Sequence, residues 1–241
     1  MKRGRPTVVV VGSTGRVGNV VTERLRDLAE VVIIGRYDLV DPEPFEAQLR
    51  YAVEGATSVV NLAGVAHLAS EPSNDDLQRL VAANLQLPIV LARTCLDVGL
   101  PLTHVSSSKA KFRSESANAY SWSKRACDAV LCDAFGDRFA QQDLALTILR
   151  PPAMLFPPFD AGRLRFLRRL TSLPLVLTPR IPVPAITAET FILDVVRSSI
   201  DVTEADAGIT IVEYERQNRT DLRAVRAAMV AERQYGRHDA Y

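Results

Sequence analysis

Thr7-Val8-Val9-Val10-Val11 runs directly into Gly12-Ser13-Thr14-Gly15-Arg16-Val17-Gly18. Five β-branched residues in a row favour an extended chain, and their unbroken apolar character marks a strand covered on both faces. The next segment, Arg16–Leu28, carries apolar residues at helical spacing. Gly12, Gly15 and Gly18 therefore sit where a strand turns into a helix. Glycine there allows the tight turn, a close approach of backbone to a pyrophosphate, and close helix–strand packing. The helix N-terminus adds unpaired N–H groups and the positive end of its dipole. The spacing is G-x-x-G-x-x-G, and it implies a nucleotide site formed by Gly12, Ser13, Thr14, Gly15, Arg16, Val17 and Gly18.

Outward from this unit, strands and helices alternate. Val31–Ile34, Ser58–Leu62, Thr103–Ser106 and Leu144–Leu149 read as strands. Pro42–Val53, Asn74–Val98 and Tyr120–Ala140 read as helices. Apolar strands separated by helices imply an α/β fold, a doubly wound parallel sheet of the Rossmann kind. After Arg150 the texture changes. Pro151-Pro152 and Pro157-Pro158 bracket a loop, Gly162–Leu170 reads as a basic helix, and Leu173–Pro184 is proline-rich and apolar. Thr187–Ile200 reads as a helix, Ile209–Val212 as a strand and Thr220–Gln234 as a charged helix capped by Thr220. The expected organisation is a nucleotide-binding domain over 1–155 and a short substrate lobe over 156–241 that partly returns to the main sheet.

Composition narrows the function classes. The 241 residues are 47% hydrophobic and 24% charged with a net charge of +1, so no global field favours nucleic acid or an anionic membrane. No apolar run approaches the roughly 20 residues of a membrane span, and the N-terminal residues lack the apolar segment of a signal peptide. Cys95, Cys127 and Cys132 lack CxxC spacing, which leaves neither a zinc site nor a disulfide framework and fits reduced thiols in the cytoplasm.

Tyr120-Ser121-Trp122-Ser123-Lys124 lies thirteen residues after Ser107. A tyrosine and a lysine four apart share one helix face, so both reach one reacting carbonyl. Strand two ends at Gly35-Arg36, eighteen residues beyond Gly18, where a site for NAD usually carries an acidic residue for the ribose hydroxyl. Arginine suits a 2′-phosphate instead, and Arg16 is placed to approach the same phosphate. NADP is therefore the expected cofactor and NAD the alternative. The competing reading makes both arginines solvated surface residues, with Asp38 taking the acidic role.

These stretches together resemble the extended short-chain dehydrogenase/reductases, specifically the NAD-dependent epimerase/dehydratase branch. The resemblance rests on Gly12–Gly18, Asn61-Leu62-Ala63-Gly64, Asn84, Val105-Ser106-Ser107, Tyr120–Lys124 and Leu149-Arg150-Pro151-Pro152. It implies that Tyr120 is general acid in reduction and base in oxidation, its phenolate favoured by the Lys124 ammonium and the oxidised nicotinamide. It implies that Lys124 also binds the nicotinamide ribose and that Ser107 donates a hydrogen bond to the substrate oxygen. Ser108 is the competing assignment, as a substrate-binding residue one position on. Asn84 would steady the lysine through a water relay. Ala63, Gly64, Leu39, Asp38 and Pro151 would line the cofactor, and Arg168, within the cluster Arg163, Arg165, Arg168 and Arg169, would meet a sugar-linked diphosphate. His67 reads more readily as structural than as a substrate contact.

The resemblance further implies a ketoreductase for a nucleotide-linked keto-deoxysugar. The segment Gly35–Pro42 resembles the compact connection of dTDP-4-dehydrorhamnose reductases, and 117 residues follow Lys124, few for the enclosing lobe of an epimerase. A nucleotide-sugar 4-epimerase with tightly bound NAD is the alternative, and a non-catalytic NADP-sensing regulator the second. Dehydration fits less well, because Lys109 follows Ser108 where an acid would be needed. The expected partner is a small molecule, with a homodimer left open.

Overall fold

The structure is a computed structural model that describes residues 5–38, 41–66, 72–111, 118–155, 185–201 and 207–214. Six parallel strands form one sheet: β1 (Thr7–Val11), β2 (Glu30–Ile34), β3 (Ser58–Asn61), β4 (Leu102–Val105), β5 (Ala145–Arg150) and β8 (Gly208–Glu213). Their order is β2-β1-β3-β4-β5-β8. The helices are α1 (Arg16–Leu28), α2 (Glu43–Ala52), α3 (Asn74–Val81), α4 (Leu87–Val98), α5 (Ala119–Val130), α6 (Gly136–Gln141) and α7 (Ala188–Ile200). The expected doubly wound parallel sheet is the architecture found.

Burial follows strand position. β3 and β4 are buried at every residue, whereas the edge strands β2 and β8 alternate between covered and exposed positions. Central strands have helices on both faces and so can be apolar throughout. The core joins Val9, Val11 and Val59 to Leu91 of α4 and to Leu102, Leu146 and Ile148. Each such side chain contributes about 1.5–3 kcal/mol through burial.

The strand order has a local cause. Residues 35–57 between β2 and β3 hold one ten-residue helix, α2, too little for a further helix–strand pair. β3 therefore pairs directly with the free side of β1, and β2 is left at the edge. The direction of winding reverses between β1 and β3. In an open α/β sheet the crevice at the C-terminal ends of such a strand pair is the place for a ligand.

Two helical runs contain π turns that the periodicity did not reveal. α3 and α4 are joined by Ala82–Gln86, and α5 and α6 by Leu131–Phe135. The first follows from Pro88, which has no N–H for the Asn84 carbonyl and presses its ring on that carbonyl. The Leu87 N–H bonds to Ala82 instead, one residue further back than in an α-helix.

The whole run Asn74–Val98 is long and apolar enough by composition to cross a membrane, which corrects the expectation that nothing approaches this length. It is a core helix here, with Leu80, Leu87, Leu91, Ala92, Cys95 and Leu96 buried. Two other expectations change. The loop after Arg150 contains β6 (Ala153–Leu155), and residues 185–187, read in part as helix, form β7 (Ala185–Thr187). They pair as a separate two-stranded parallel sheet; three-residue strands carry too little alternation to be read. One compact unit comprises Met1–Arg150 and Ile192–Glu213, the other Pro151–Phe191 and Tyr214–Tyr241. The segments 162–170, 173–184 and 220–234 lie outside the described residues.

Candidate active site at the ends of β1, β3 and β4

Backbone builds the first part of the site. Gly12 has φ +87°, and a Cβ placed there would lie 2.4 Å from the Ala63 nitrogen. A Cβ on Gly18 would lie 1.9 Å from the Gly12 carbonyl oxygen. The turn after β1, the first turn of α1 and the chain after β3 are thus in contact through missing side chains. At Gly15 the same construction meets nothing nearer than 3.7 Å. Gly15 caps α1 without a side-chain hydrogen bond, and no acidic residue occupies the first turn. The helix N–H groups are left for an anion, which is what a dinucleotide pyrophosphate requires. Ser13, Thr14, Arg16 and Val17 lie on this loop, with Thr14 and Arg16 exposed.

Beyond β2, Arg36 and Asp38 are both exposed. Their turn is fixed by the Gly35 N–H donating to Gln48 Oε1 at 3.2 Å and by Tyr37 packed edge-on against Phe45 at 5.3 Å. Leu39 lies outside the described residues, as do His67, Arg163, Arg165, Arg168 and Arg169. Pro151 is buried directly after β5.

Side chains build the second part. β4 ends at Val105, and the Ser106 N–H makes one further bond to the neighbouring strand, donating to the Leu149 carbonyl at 2.8 Å. Ser107 then opens a turn closed by the Ala110 N–H on its carbonyl at 2.9 Å. The serines therefore lie beyond the strand, and the expected strand end at Ser106 is corrected by one residue. Ser107 is buried, and its hydroxyl acts on the Tyr120 phenol to oppose the rise in its pKa. The Lys109 N–H donates to Ser107 Oγ at 3.3 Å, which leaves the serine proton to point onward. Ser108 is half-buried at the start of a 3-10 turn, Ser108–Lys111.

Asn118 caps α5 by accepting from the Ser121 N–H at 3.0 Å, so Tyr120 stands in the first turn and Lys124 one turn later on the same face. Lys124 is buried, with Nζ donating to the Val105 carbonyl at 2.9 Å. Burial pushes its pKa below the ordinary lysine value, against the opposing charges of Cys127 and Asp128. Burial also raises Tyr120 above the ordinary phenol value; Ser107 opposes this and Asp128 adds to it. In the chain by itself desolvation outweighs the lowering influences on Tyr120. Tyr120 keeps its proton at neutral pH.

Asn84 is buried in the π turn. Its Nδ2 donates to the Val65 carbonyl at 2.9 Å and to Ser123 Oγ at 3.0 Å, while its Oδ1 accepts from the Val65 N–H at 2.8 Å. A Cβ on Gly64 would lie 3.2 Å from Asn84 Oδ1 and 3.4 Å from Lys124 Nζ. Asn84 therefore anchors the Ala63–Val65 chain beside the lysine.

Several side-chain pairings of this region were not read from the sequence. Asn61 accepts from the Ala63 N–H at 3.1 Å and faces His104 Nδ1 at 3.1 Å. His104 Nε2 lies 3.7 Å from Cys127 Sγ. Burial and the Lys124 charge hold His104 well below its ordinary pKa, so it is neutral. Burial pushes the Cys127 thiol up to about 12. Asp128, a further turn along the Tyr120–Lys124 face, is buried and paired with Arg150 Nε at 2.7 Å. Arg150 also reaches Glu213 at 3.2 Å, and Glu213 pairs with Lys111. The i, i+4, i+8 spacing of Tyr120, Lys124 and Asp128 was a usable signal. Trp122 is 48% exposed and touches none of this chemistry.

The NAD dependent epimerase/dehydratase family model matches residues 8–165, more than half of the chain and every stretch just described through β5. The chain belongs to this family. Its members are oxidoreductase-type enzymes of the short-chain dehydrogenase/reductase kind that use NAD(P). No curated protein matches the sequence. Among solved structures, a short-chain type dehydrogenase/reductase from Mycobacterium ulcerans is similar at TM-score 0.65 and 18% identity, over 97% of this chain and 96% of that one. ElxO, in a tyrosine-to-phenylalanine variant with NADPH bound, is similar at TM-score 0.64 and 14% identity, over 87% and 96%. The 3-oxoacyl-[acyl-carrier protein] reductase of Brucella melitensis gives 0.60 and 17%, over 86% and 88%. At these identities the likeness is one of fold.

Proposed function

We propose that the chain is an NADPH-dependent ketoreductase acting on a nucleotide-linked keto-deoxysugar, with Tyr120 as general acid. The observation that carries the reading is the placement of Tyr120: a phenol in the first turn of α5, beside the buried Ser107 and one turn from the buried Lys124 on the same helix face. The backbone of Gly12, Gly15 and Gly18 would hold the dinucleotide, with Ala63, Gly64, Asn84 and Lys124 at its reactive end and Arg16 and Arg36 toward a 2′-phosphate. When bound, the dinucleotide supplies the hydride. Ser107 orients the substrate carbonyl, and Tyr120 delivers its proton to the carbonyl oxygen. The unit Pro151–Phe191 with Tyr214–Tyr241 is assigned to substrate selection, and the enzyme to the cytoplasm.

Tyr120→Phe tests the reading. It removes one hydroxyl and keeps the ring, so NADPH affinity should stay within about threefold. Turnover of a dTDP-4-keto-6-deoxyhexose should fall by roughly 10²–10⁴. Turnover near the wild-type rate overturns the role of Tyr120.

The family match favours a second reading, a nucleotide-sugar 4-epimerase. An epimerase must give back to its substrate the hydride that its NAD has taken, and so retains its cofactor. Absorbance and mass analysis of the purified protein decide: tightly retained NAD supports the epimerase, whereas an empty site that binds added NADPH supports the reductase.

A further inference from the structure

The charges around Tyr120 are unevenly settled. Arg150 is neutralised by Asp128 and Glu213, and Lys111 by Glu213. Lys124 is buried and spends its ammonium on the Val105 carbonyl. Lys109 differs from all of them. It is exposed, it makes no ion pair among the described residues, and its Nζ stands 5.5 Å from the centre of the Tyr120 ring. Lys111 is in the same 3-10 turn and has a carboxylate partner, so the turn places one cation in a pair and the other against the phenol.

Lys109 is also tied to the chemistry through its backbone, since its N–H donates to Ser107 Oγ. The 3-10 turn thus fixes Ser107 and directs the Lys109 side chain over Tyr120. A cation on an aromatic face is a weak contact at an exposed site, and an anionic oxygen competes with it readily. Lys124 nearby adds positive charge, and the acidic groups that face this region among the described residues, Asp128 and Glu213, are already paired.

We propose that Lys109 is a substrate-binding residue that selects an anionic oxygen group, carboxylate or phosphate, a few bonds from the reacting carbonyl. This rests on Tyr120 as the acid that meets that carbonyl. A ligand oxygen on Lys109 Nζ and a carbonyl oxygen on the Tyr120 phenol are then held by neighbouring groups, since Nζ stands over the same ring. A 4-keto sugar nucleotide carries such an anion, its phosphate reached from C4 through C5, the ring oxygen, C1 and the glycosidic oxygen. A short keto acid carries one nearer to its carbonyl.

The test compares charged and neutral ketones of otherwise similar shape, with NADPH, in the wild type and in Lys109→Met, Lys109→Arg and Lys109→Glu. The pairs are acetoacetate with methyl acetoacetate, and dihydroxyacetone phosphate with dihydroxyacetone. The wild type should favour the charged member in kcat/KM by about ten- to a hundredfold in one pair, which identifies carboxylate or phosphate. Lys109→Met should bring that ratio within about threefold of unity, Lys109→Arg should keep most of it, and Lys109→Glu should invert it. A ratio in Lys109→Met equal to that of the wild type overturns the proposal. If the neutral ketones are reduced in a Tyr120-dependent way without discrimination, Lys109 is not the selector and the ketoreductase reading stands. Reduction indifferent to Tyr120→Phe removes that reading and the Lys109 proposal with it.

Discussion

The ends of β1 and β3 and the end of β4 with the face of α5 lie side by side in one unit, yet they are made of different material. At β1 and β3 the working parts are N–H groups and empty space. Gly12, Gly15 and Gly18 contribute by what they lack, and Ala63 meets Gly12 through backbone. At β4 and α5 the working parts are hydroxyl, phenol, ammonium and carboxylate, each held by a partner within the chain. The difference teaches where each half is vulnerable. The backbone half has no slack for added atoms, whereas the side-chain half tolerates changes of shape and fails when a proton or charge is lost.

Gly18→Ala should give the largest effect. The new Cβ would lie 1.9 Å from the Gly12 carbonyl oxygen, which is backbone and so has little room to move. NADPH affinity should fall at least about a hundredfold, or the protein should lose its fold, because overpacking against fixed atoms costs about 1–3 kcal/mol or more. Calorimetric titration with a thermal melt reads both. Unchanged affinity would break the contrast drawn between the two halves.

Ser107→Ala comes next. It deletes the hydroxyl beside Tyr120 without adding atoms, and kcat should fall by roughly 10²–10³ with the fold unchanged. Ser108→Ala should act mainly on KM. A larger loss of kcat in Ser108→Ala would shift the assignment by one residue.

Arg36→Asp probes the backbone half at its one charged margin. NADPH should weaken and NADH should gain relative to it by about tenfold or more, since a phosphate partner becomes a partner for the ribose hydroxyls. Titration of both cofactors against both proteins checks this. A wild type that already prefers NADH would assign the acidic role to Asp38.

The smallest effect concerns stability. His104 is neutral in the fold, with its pKa well below 6.5. As pH falls below 6.5 the unfolded chain takes up a proton there that the folded chain does not, so stability falls with it. The loss should be roughly 1 kcal/mol between pH 6.5 and 5.5 from this group. In His104→Gln the loss should be smaller by that amount, read from urea midpoints at the two pH values. Equal slopes in the two proteins would show that His104 does not control the acid limb.

What could be read in advance follows the same division. The glycine loop and the β-branched and apolar runs of β1, β3, β4 and β5 were legible because each declares itself within a dozen residues. Tyr120 and Lys124 were legible from one helical turn. The pairings Asn61 with His104, across 43 residues, and Arg150 with Glu213, across 63, were not. They depend on which strands become neighbours, and local spacing carries no record of that. Lys109 was read only as an argument against dehydration. Its place over the Tyr120 ring needs the 3-10 turn, which four residues of sequence do not announce. The π turns were hidden because one extra residue scarcely disturbs a periodic pattern.

That extra residue at Ala82–Gln86 has its own consequence. A π turn acts as an insertion of one position into a regular helix, and one position rotates everything after it by about 100°. The apolar stripes of α3 and α4 are therefore out of phase along the run, and the offset falls at Asn84. Asn84 is aimed at Val65 and Ser123 by a mismatch in counting that Pro88 enforces from four residues away. A surface substitution in this turn would leave the phase intact. Loss of a single residue from it would swing the amide off its partners, although every atom of the amide itself were unchanged.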